Sequence, residues 1–203
     1  MRLLLLPTLL LIVVCCNGQP QPNDKRVGGP CDGCDLMYEG MPSHISWETQ
    51  IAMSGEPGEP MVIEGTIYKN DRKTPAPGVI LYVYHTDARG DYSNPSDVHG
   101  NRHGHLRGWV KTGADGKYRF TSIRPAPYPG ENIPAHIHPL IKEPGLTLYW
   151  IDEYLFEDDP RVTETVRKGE QKRGGNGIIR LTKKDGVWHG TRDIILGMNV
   201  PGY

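Results

Sequence analysis

Two histidines separated by one residue offer the clearest chemistry in this sequence. His136 and His138 lie in Pro134-Ala135-His136-Ile137-His138, and the alternation of polar and apolar residues through Ile141 predicts a β-strand. Side chains two positions apart point to the same face of a strand, so the two imidazoles would lie side by side. Such a pair can supply two adjacent metal ligands. Taken alone, the pair fits a polar sheet face without a metal equally well.

Two tyrosines precede this strand. Tyr92 follows the turn Asp87-Ala88-Arg89-Gly90, and Tyr128 sits between Pro127 and Pro129 in the loop that leads into the strand. The flanking prolines hold the backbone of Tyr128 in an extended, preorganised conformation. Considered singly, each tyrosine is better interpreted as an amphipathic residue at the edge of a core.

A second group of histidines lies between the two tyrosines. His99, His103 and His105 are spaced by glycines, which predicts a loop. Imidazoles at this spacing could form a copper or zinc site, but we favour a loop over the mouth of an active site. His44 and His189 are isolated and are interpreted as structural or exposed, whereas a buried His85 would need a polar partner close to the site.

The elements that must position these residues are mostly strands. The predicted strands are 62–68, 79–84, 108–112, 117–123, 135–141, 146–156, 177–182 and 187–196. A single short helix is predicted from Pro160 to Lys168, with Asp159 as its N-cap. The pattern predicts an all-β fold for residues 59–203, a β-sandwich of about eight antiparallel strands with one short helix.

The N-terminal part divides into a leader and an arm. Residues 1–18 combine Arg2, an apolar run through Val14 and a small-residue end, which predicts a secretory signal and an exported protein. The alternative is a bacterial lipoprotein signal around Cys15, which would leave a lipid anchor. Residues 19–58 are rich in proline and glycine and predict an irregular arm, with a short regular element at most within Ser46 to Met53.

Composition excludes several classes of function. Removing residues 1–18 takes away one arginine and no acid, which changes the formal net charge from −1 to −2. A chain without an excess of basic residues is not expected to bind nucleic acid. No other apolar run approaches the length of a transmembrane span. Cys31 and Cys34 lie in Gly-Gly-Pro-Cys-Asp-Gly-Cys; in an exported chain we interpret them as a local disulfide, while a lone Cys-x-x-Cys is a weak zinc signal.

Taken in their order along the chain, the tyrosine and histidine motifs and the stretches around them resemble the intradiol ring-cleavage dioxygenases. These are the catechol and protocatechuate dioxygenases, which use non-haem ferric iron. Three stretches carry the resemblance, which spans Gly65 to Asp159 and about half of the chain. They are Ala88-Arg89-Gly90-Asp91-Tyr92 after a core strand, Leu106 to Thr112 with Asp115 to Phe120 and Ile123-Arg124-Pro125, and Pro127-Tyr128-Pro129 leading to Pro134-Ala135-His136-Ile137-His138.

The resemblance implies a ligand set and a reaction. Tyr92 and His138 would be equatorial ligands of Fe(III), and Tyr128 and His136 axial ligands. Tyr128 would also act as a general base for the substrate. The reaction implied is cleavage of a catecholic ring by O2 to a cis,cis-muconate-type diacid. Phenolate oxygens are hard anionic donors, which suits ferric iron better than zinc.

The sequence departs from this family at several pocket positions. Ile133 stands where the family carries an arginine that steadies negative charge on the substrate, and Gly130 replaces a bulky tryptophan of the protocatechuate enzymes. Glu153 takes the place of a pocket glutamine. Together with Arg107, Ile133 and Glu153 are the substrate-contact candidates. The arginines that could replace the missing charge are Arg102, Arg107 and Arg124.

Other classes of protein remain open at this point. A binding module could keep the scaffold and the metal without turnover, and a copper-dependent redox protein could use the loop from His99 to His105. The helical dimerisation segment of catechol dioxygenases has no counterpart in this sequence. A homo-oligomer is compatible with the sequence, which does not specify its state.

Overall fold

Two six-stranded β-sheets dominate residues 24–94 and 102–203, the part of the chain that this computed structural model describes. The strands are β1 Glu48–Gln50, β2 Pro60–Tyr68, β3 Ile80–His85, β4 Arg107–Lys111, β5 Lys117–Ile123, β6 His136–Lys142, β7 Tyr149–Trp150, β8 Tyr154–Phe156, β9 Ile178–Ile179, β10 Leu181–Lys184, β11 Val187–Thr191 and β12 Ile194–Ile195. The predicted signal sequence and His99 lie outside the described residues.

The sheets pack over one core and confirm the predicted β-sandwich with a single short helix. The first has the order β1-β5-β2-β11-β10, with β12 also on β2, and the second has the order β4-β3-β6-β8-β9, with β7 also on β6. The strands are more numerous than predicted, because the expected strands 146–156, 177–182 and 187–196 are each split in two and β1 adds a strand within the arm. Four pairings are parallel: β1 with β5, β2 with β11, β2 with β12 and β8 with β9.

The helix begins later than predicted. Helix α1 spans Glu164–Gly169, and the Thr163 side chain caps it by accepting from the Val166 amide. The predicted cap, Asp159, has other partners: one carboxylate oxygen accepts from the Ala135 amide at 2.8 Å and the other from the Arg161 amide at 2.9 Å. Asp159 therefore fixes the entrance to β6 instead of starting a helix.

Strand β3 shows how the second sheet buries both of its faces. Leu81 and Val83 belong to the large core shared with the first sheet, whereas Ile80 and Tyr82 belong to a second, smaller cluster on the opposite face. Strand β6 alternates in the same way, with Ile137 inside the main core. His136 and His138 therefore point away from the main core, towards the face that carries the second cluster.

The N-terminal arm covers that second face. It contains a 3-10 helix, Cys34–Tyr38, and Cys31 and Cys34 form a disulfide. The arm is tied to the sheet by the indole of Trp109, which donates to the Met37 carbonyl at 2.8 Å, and by a buried ion pair between Lys142 and Asp24 at 2.8 Å. The arm, which the sequence predicts to be irregular, is thus held in place by contacts with residues far away in the chain. Within the described ranges, no helix is long and apolar enough to cross a membrane.

Candidate metal centre

Four side chains from three segments meet at the start of β6. The Oη atoms of Tyr92 and Tyr128 lie 2.7 Å apart. The Nε2 atom of His136 lies 3.2 Å from the Tyr128 hydroxyl and 3.0 Å from the Nε2 atom of His138, and the latter is 3.4 Å from the same hydroxyl. The structure therefore brings together all four residues that the resemblance implied as ligands.

The tautomers of the two histidines direct lone pairs into this centre. The Nδ1–H of His136 donates to the Pro134 carbonyl at 2.7 Å, so its Nε2 atom carries a lone pair. On His138, Nδ1 faces a carboxylate oxygen of Glu153 at 3.6 Å, which favours the proton on Nδ1 there too. Partners of this kind orient histidine ligands in metal sites.

Burial sets the protonation of the phenols and of His136. It raises the pKa of Tyr92 well above the ordinary value for tyrosine, and it also raises the pKa of Tyr128. Burial also lowers the pKa of His136, which favours the neutral imidazole. Both phenols stay protonated without a cation, and one can donate to the other. A multivalent cation would release these protons, because it stabilises the phenolates.

The donor set fits a hard, highly charged cation. It combines two imidazole nitrogens with two phenol oxygens, which become hard anionic donors on ionisation. Across the described residues, no group of three or more histidine, cysteine, aspartate and glutamate side chains is placed to hold a metal ion. A metal ion at this centre would therefore need the tyrosine oxygens as ligands, and the residues present fit ferric iron.

Tyr84 supports the centre and was not predicted from the sequence. Its ring stacks on His138 with centroids 4.6 Å apart, and on His103 with centroids 3.6 Å apart and planes within 5°. Strand pairing explains the contact, because Tyr84 on β3 lies directly opposite His138 on β6. The sequence carries no signal for this register, although the alternation in β3 does place Tyr84 on the same face as Tyr82.

A cavity of about 170 Å³ opens beside His138. Its lining combines the metal centre, strand β6, the segment around Trp150 and the N-terminal arm: Pro30, Cys31, Asp32, Cys34, Tyr84, His138, Pro139, Leu140, Trp150, Ile151 and Glu153. The disulfide loop of the arm, residues 31–34, thus forms one wall of the space next to the candidate ligands.

The substrate-contact candidates take different places. Glu153 lines the cavity, whereas Ile133 is 43% exposed and does not line it. Arg107 lies opposite Tyr84 in the β3–β4 pairing and is likewise outside the cavity lining. Arg124 is engaged elsewhere, in a two-fold hydrogen bond with Asp158 at 2.8 Å.

The second group of histidines is divided between separate partners. His103 is buried, with Nδ1 3.0 Å from the hydroxyl of Tyr82. His105 instead contacts the carbonyl of Ser93 at 2.8 Å and a carboxylate oxygen of Glu56 at 3.0 Å. His103 therefore helps to hold the ring of Tyr84 in place. His103 and His105 have different partners, and these contacts do not form a copper or zinc site.

The isolated histidines also take clear places. His44 and His189 are exposed. His85 is fully buried and contacts the hydroxyl of Ser122 and the carbonyl of Thr86, each at 2.8 Å. These contacts make His85 part of the polar framework next to the main core.

Comparison with known proteins gives a consistent result. Residues 37–174 match the dioxygenase family Dioxygenase_C. Catechol 1,2-dioxygenase 1 of Acinetobacter lwoffii is 29% identical over 157 residues, which cover 64% of this chain and 50% of that protein. The 6-chlorohydroxyquinol 1,2-dioxygenase of Cupriavidus pinatubonensis is 29% identical over 165 residues, covering 70% of this chain and 58% of that protein. The chain spans about half the length of the curated relatives it matches.

Solved structures share the fold. The dioxygenase domain of a dioxygenase carbohydrate-binding protein fusion from Streptomyces sp. SirexAA-E superposes with a TM-score of 0.56 at 24% identity, over 87% of this chain and 98% of that chain. Catechol 1,2-dioxygenase from Acinetobacter sp. ADP1 gives a TM-score of 0.57 at 18% identity, over 74% of this chain and 56% of that chain. Since the family match spans most of the sequence, this chain belongs to the dioxygenase family Dioxygenase_C, that of the intradiol ring-cleavage dioxygenases.

Proposed function

We propose that this protein is a ferric dioxygenase that cleaves a catecholic ring between its two hydroxyl groups, consuming O2 and releasing a cis,cis-muconate-type diacid. The observation that carries the proposal is the meeting of two phenol oxygens and two imidazole lone pairs beside a cavity that would fit one aromatic ring. For scale, an engineered apolar cavity of about 150 Å³ in another protein binds benzene.

Each ligand candidate has a defined role in this proposal. Tyr92, Tyr128, His136 and His138 would hold Fe(III). When bound, the iron would supply a Lewis acid that chelates the deprotonated diol and makes its ring reactive towards O2.

Tyr128 is the candidate general base. Its hydroxyl lies within 3.4 Å of the other three donor atoms, so it reaches every part of the centre. Burial raises the pKa of this phenol, so its oxygen holds a proton firmly when no cation lies beside it. It would take one proton from a substrate hydroxyl. Tyr92 would remain as the anionic partner at the same centre.

The surroundings of the centre would orient the ring and exclude water. Tyr84 and Trp150 contribute aromatic surface to the cavity, and the disulfide loop closes its side. The disulfide supports placing the protein in an oxidising compartment, as the predicted signal sequence does. We therefore include export in the proposal.

The first experiment is a visible spectrum of the iron-loaded mature protein, with and without catechol, combined with measurement of O2 uptake and of the product. We expect a phenolate-to-iron absorption band that shifts on binding of catechol and returns as O2 is consumed. A band that shifts without O2 uptake would indicate the alternative, a binding module without turnover. Iron-loaded protein without any band would contradict the ligand assignment.

A further inference from the structure

The cavity beside His138 has an uneven charge. Most of the residues that line it are apolar or aromatic, and apart from the centre itself the side chains that carry a charge at neutral pH are those of Asp32 and Glu153. Among the described residues, no lysine or arginine contributes to it. Glu153 faces Nδ1 of His138 at 3.6 Å, and 45% of its side chain remains exposed. The lining thus has two acids and no fixed base.

Two arginines lie near the cavity without lining it. The Arg173 guanidinium packs 3.3 Å from the centroid of the Trp150 ring and donates to the Gly28 carbonyl at 3.1 Å. Arg102 lies close to the disulfide loop. Its Nη2 atom would be 3.1 Å from the Cβ atom of a residue larger than glycine at position 33. Neither guanidinium lines the cavity, so the charged side chains that an incoming substituent meets in its wall are the two carboxylates.

The loop that carries Asp32 is held in place. The Cys31–Cys34 disulfide closes it, and the indole of Trp150 donates to the Pro30 carbonyl at 3.3 Å. Behind it, Met37 is completely buried in the smaller core cluster. Because the backbone is already ordered, Asp32 can attract a charged ligand without a large cost of ordering the loop.

We propose that this cavity takes the side chain of a catechol that carries a protonated amine, with Asp32 and Glu153 as the residues that select it. The inference rests on the proposed function, because it concerns a substituent on the ring bound at the same centre. A carboxylate substituent at this place would face two like charges, which a binding site uses to reject the wrong ligand. The expected order of affinity is ammonium, then neutral, then carboxylate.

The test uses three catechols of similar size: 3,4-dihydroxybenzylamine, 3,4-dihydroxybenzyl alcohol and 3,4-dihydroxybenzoate. Their dissociation constants are measured without O2 on the iron-loaded protein, from the shift of the visible band and independently by calorimetry. We expect the amine to bind about fivefold more tightly than the alcohol, the ratio that a partly exposed ion pair supplies. High salt should reduce this ratio, because ions screen the attraction.

Asp32→Asn should lower the ratio of amine to alcohol affinity from about fivefold to about twofold, because Glu153 still attracts the amine. Asp35→Asn is the matched control: Asp35 is an exposed acid three residues further along the arm, does not line the cavity, and should keep the ratio. Equal affinities in the unmodified protein, or a ratio that Asp32→Asn leaves unchanged, would overturn the inference alone. If none of the three catechols binds by either method, the proposed function fails and this inference fails with it.

Discussion

The Nε2 atoms of His136 and His138 lie 3.0 Å apart, with their ring planes at 88°. The Pro134 carbonyl holds the proton of His136 on Nδ1, and Glu153 favours the same tautomer for His138. Two lone pairs at this distance repel each other unless a cation or a proton lies next to both. The Tyr128 hydroxyl, 3.2 and 3.4 Å from the two atoms, can supply such a proton, and a cation at the proposed metal centre would take its place.

The first prediction concerns metal binding. Loading with Fe(III) should raise the melting temperature, because a ligand that binds only the folded state stabilises it by about 3 kcal/mol at a hundredfold excess over its dissociation constant. For a domain of this size that amounts to about 6 to 12 °C. Thermal unfolding with and without iron measures the increase. His138→Ala should abolish it, whereas Tyr68→Phe, at the end of β2, should keep it. An increase of equal size in His138→Ala would place the iron elsewhere.

The second prediction concerns the stack on Tyr84. Its ring lies against His138 and His103, so a flat side chain at this position should keep the His138 ring in its orientation. Tyr84→Phe should leave kcat nearly unchanged. Tyr84→Leu should lower kcat about tenfold at most, since stacked pairs contribute about 0.5 to 1.5 kcal/mol. The absorption band of the iron-loaded protein reports the same disturbance without turnover. Equal kcat and equal bands in the two variants would show that stacking has no role.

How far the sequence predicts this centre depends on which contacts are local. The strand alternation places His136 and His138 on one face, and the structure confirms this. The prolines around Tyr128 predict a stiff loop. The contact between Tyr84 and His138 is different, because it depends on the register between two strands, and the two residues are 54 positions apart in the chain. Periodicity within a strand carries no information about the register of its partner.

The arm illustrates the same limit for the fold. Its prolines and glycines show no period, and the sequence assigns it no chemistry. Its position depends on hydrogen bonds from two indoles to its backbone, Trp109 to Met37 and Trp150 to Pro30, across 72 and 120 residues. The predicted start of helix α1 was wrong for the opposite reason, because a local signal was present and was misleading. A local capping signal at Asp159 favoured an early start, but the Ala135 amide on another segment takes the carboxylate.

The third prediction concerns the disulfide loop. Replacing both cysteines in Cys31→Ser/Cys34→Ser should raise KM for catechol while changing kcat little, because the loop forms a wall of the cavity and does not contact the four ligand atoms. The free energy of unfolding should fall by about 2 kcal/mol, the entropy that so short a loop contributes. Steady-state kinetics and urea unfolding measure the two effects. A loss of kcat at unchanged KM would contradict a role in forming the wall.

The fourth prediction concerns acid sensitivity, and it follows from the burial of His85. Its Nδ1–H donates to the Thr86 carbonyl, so Nε2 accepts from the Ser122 hydroxyl, and the neutral ring is fully satisfied. Burial lowers the pKa of His85 from 6.5 to about 4. The folded state then binds fewer protons than the unfolded state between these two values. Stability from this residue is therefore present above pH 6.5 and is lost as the pH falls towards 4.

The loss from His85 should reach about 3 kcal/mol, from about 1.4 kcal/mol for each pKa unit. Urea unfolding of the native protein and of His85→Gln, between pH 7 and pH 4, measures it as a difference. This difference is needed because burial raises the pKa of Glu170 to about 7, which acts in the opposite direction. His85→Gln should lose stability less steeply than the native protein as the pH falls, and His189→Gln, at an exposed histidine, should follow the native curve. Parallel curves for all three proteins would mean that His85 is already charged in the folded state or is hydrated there.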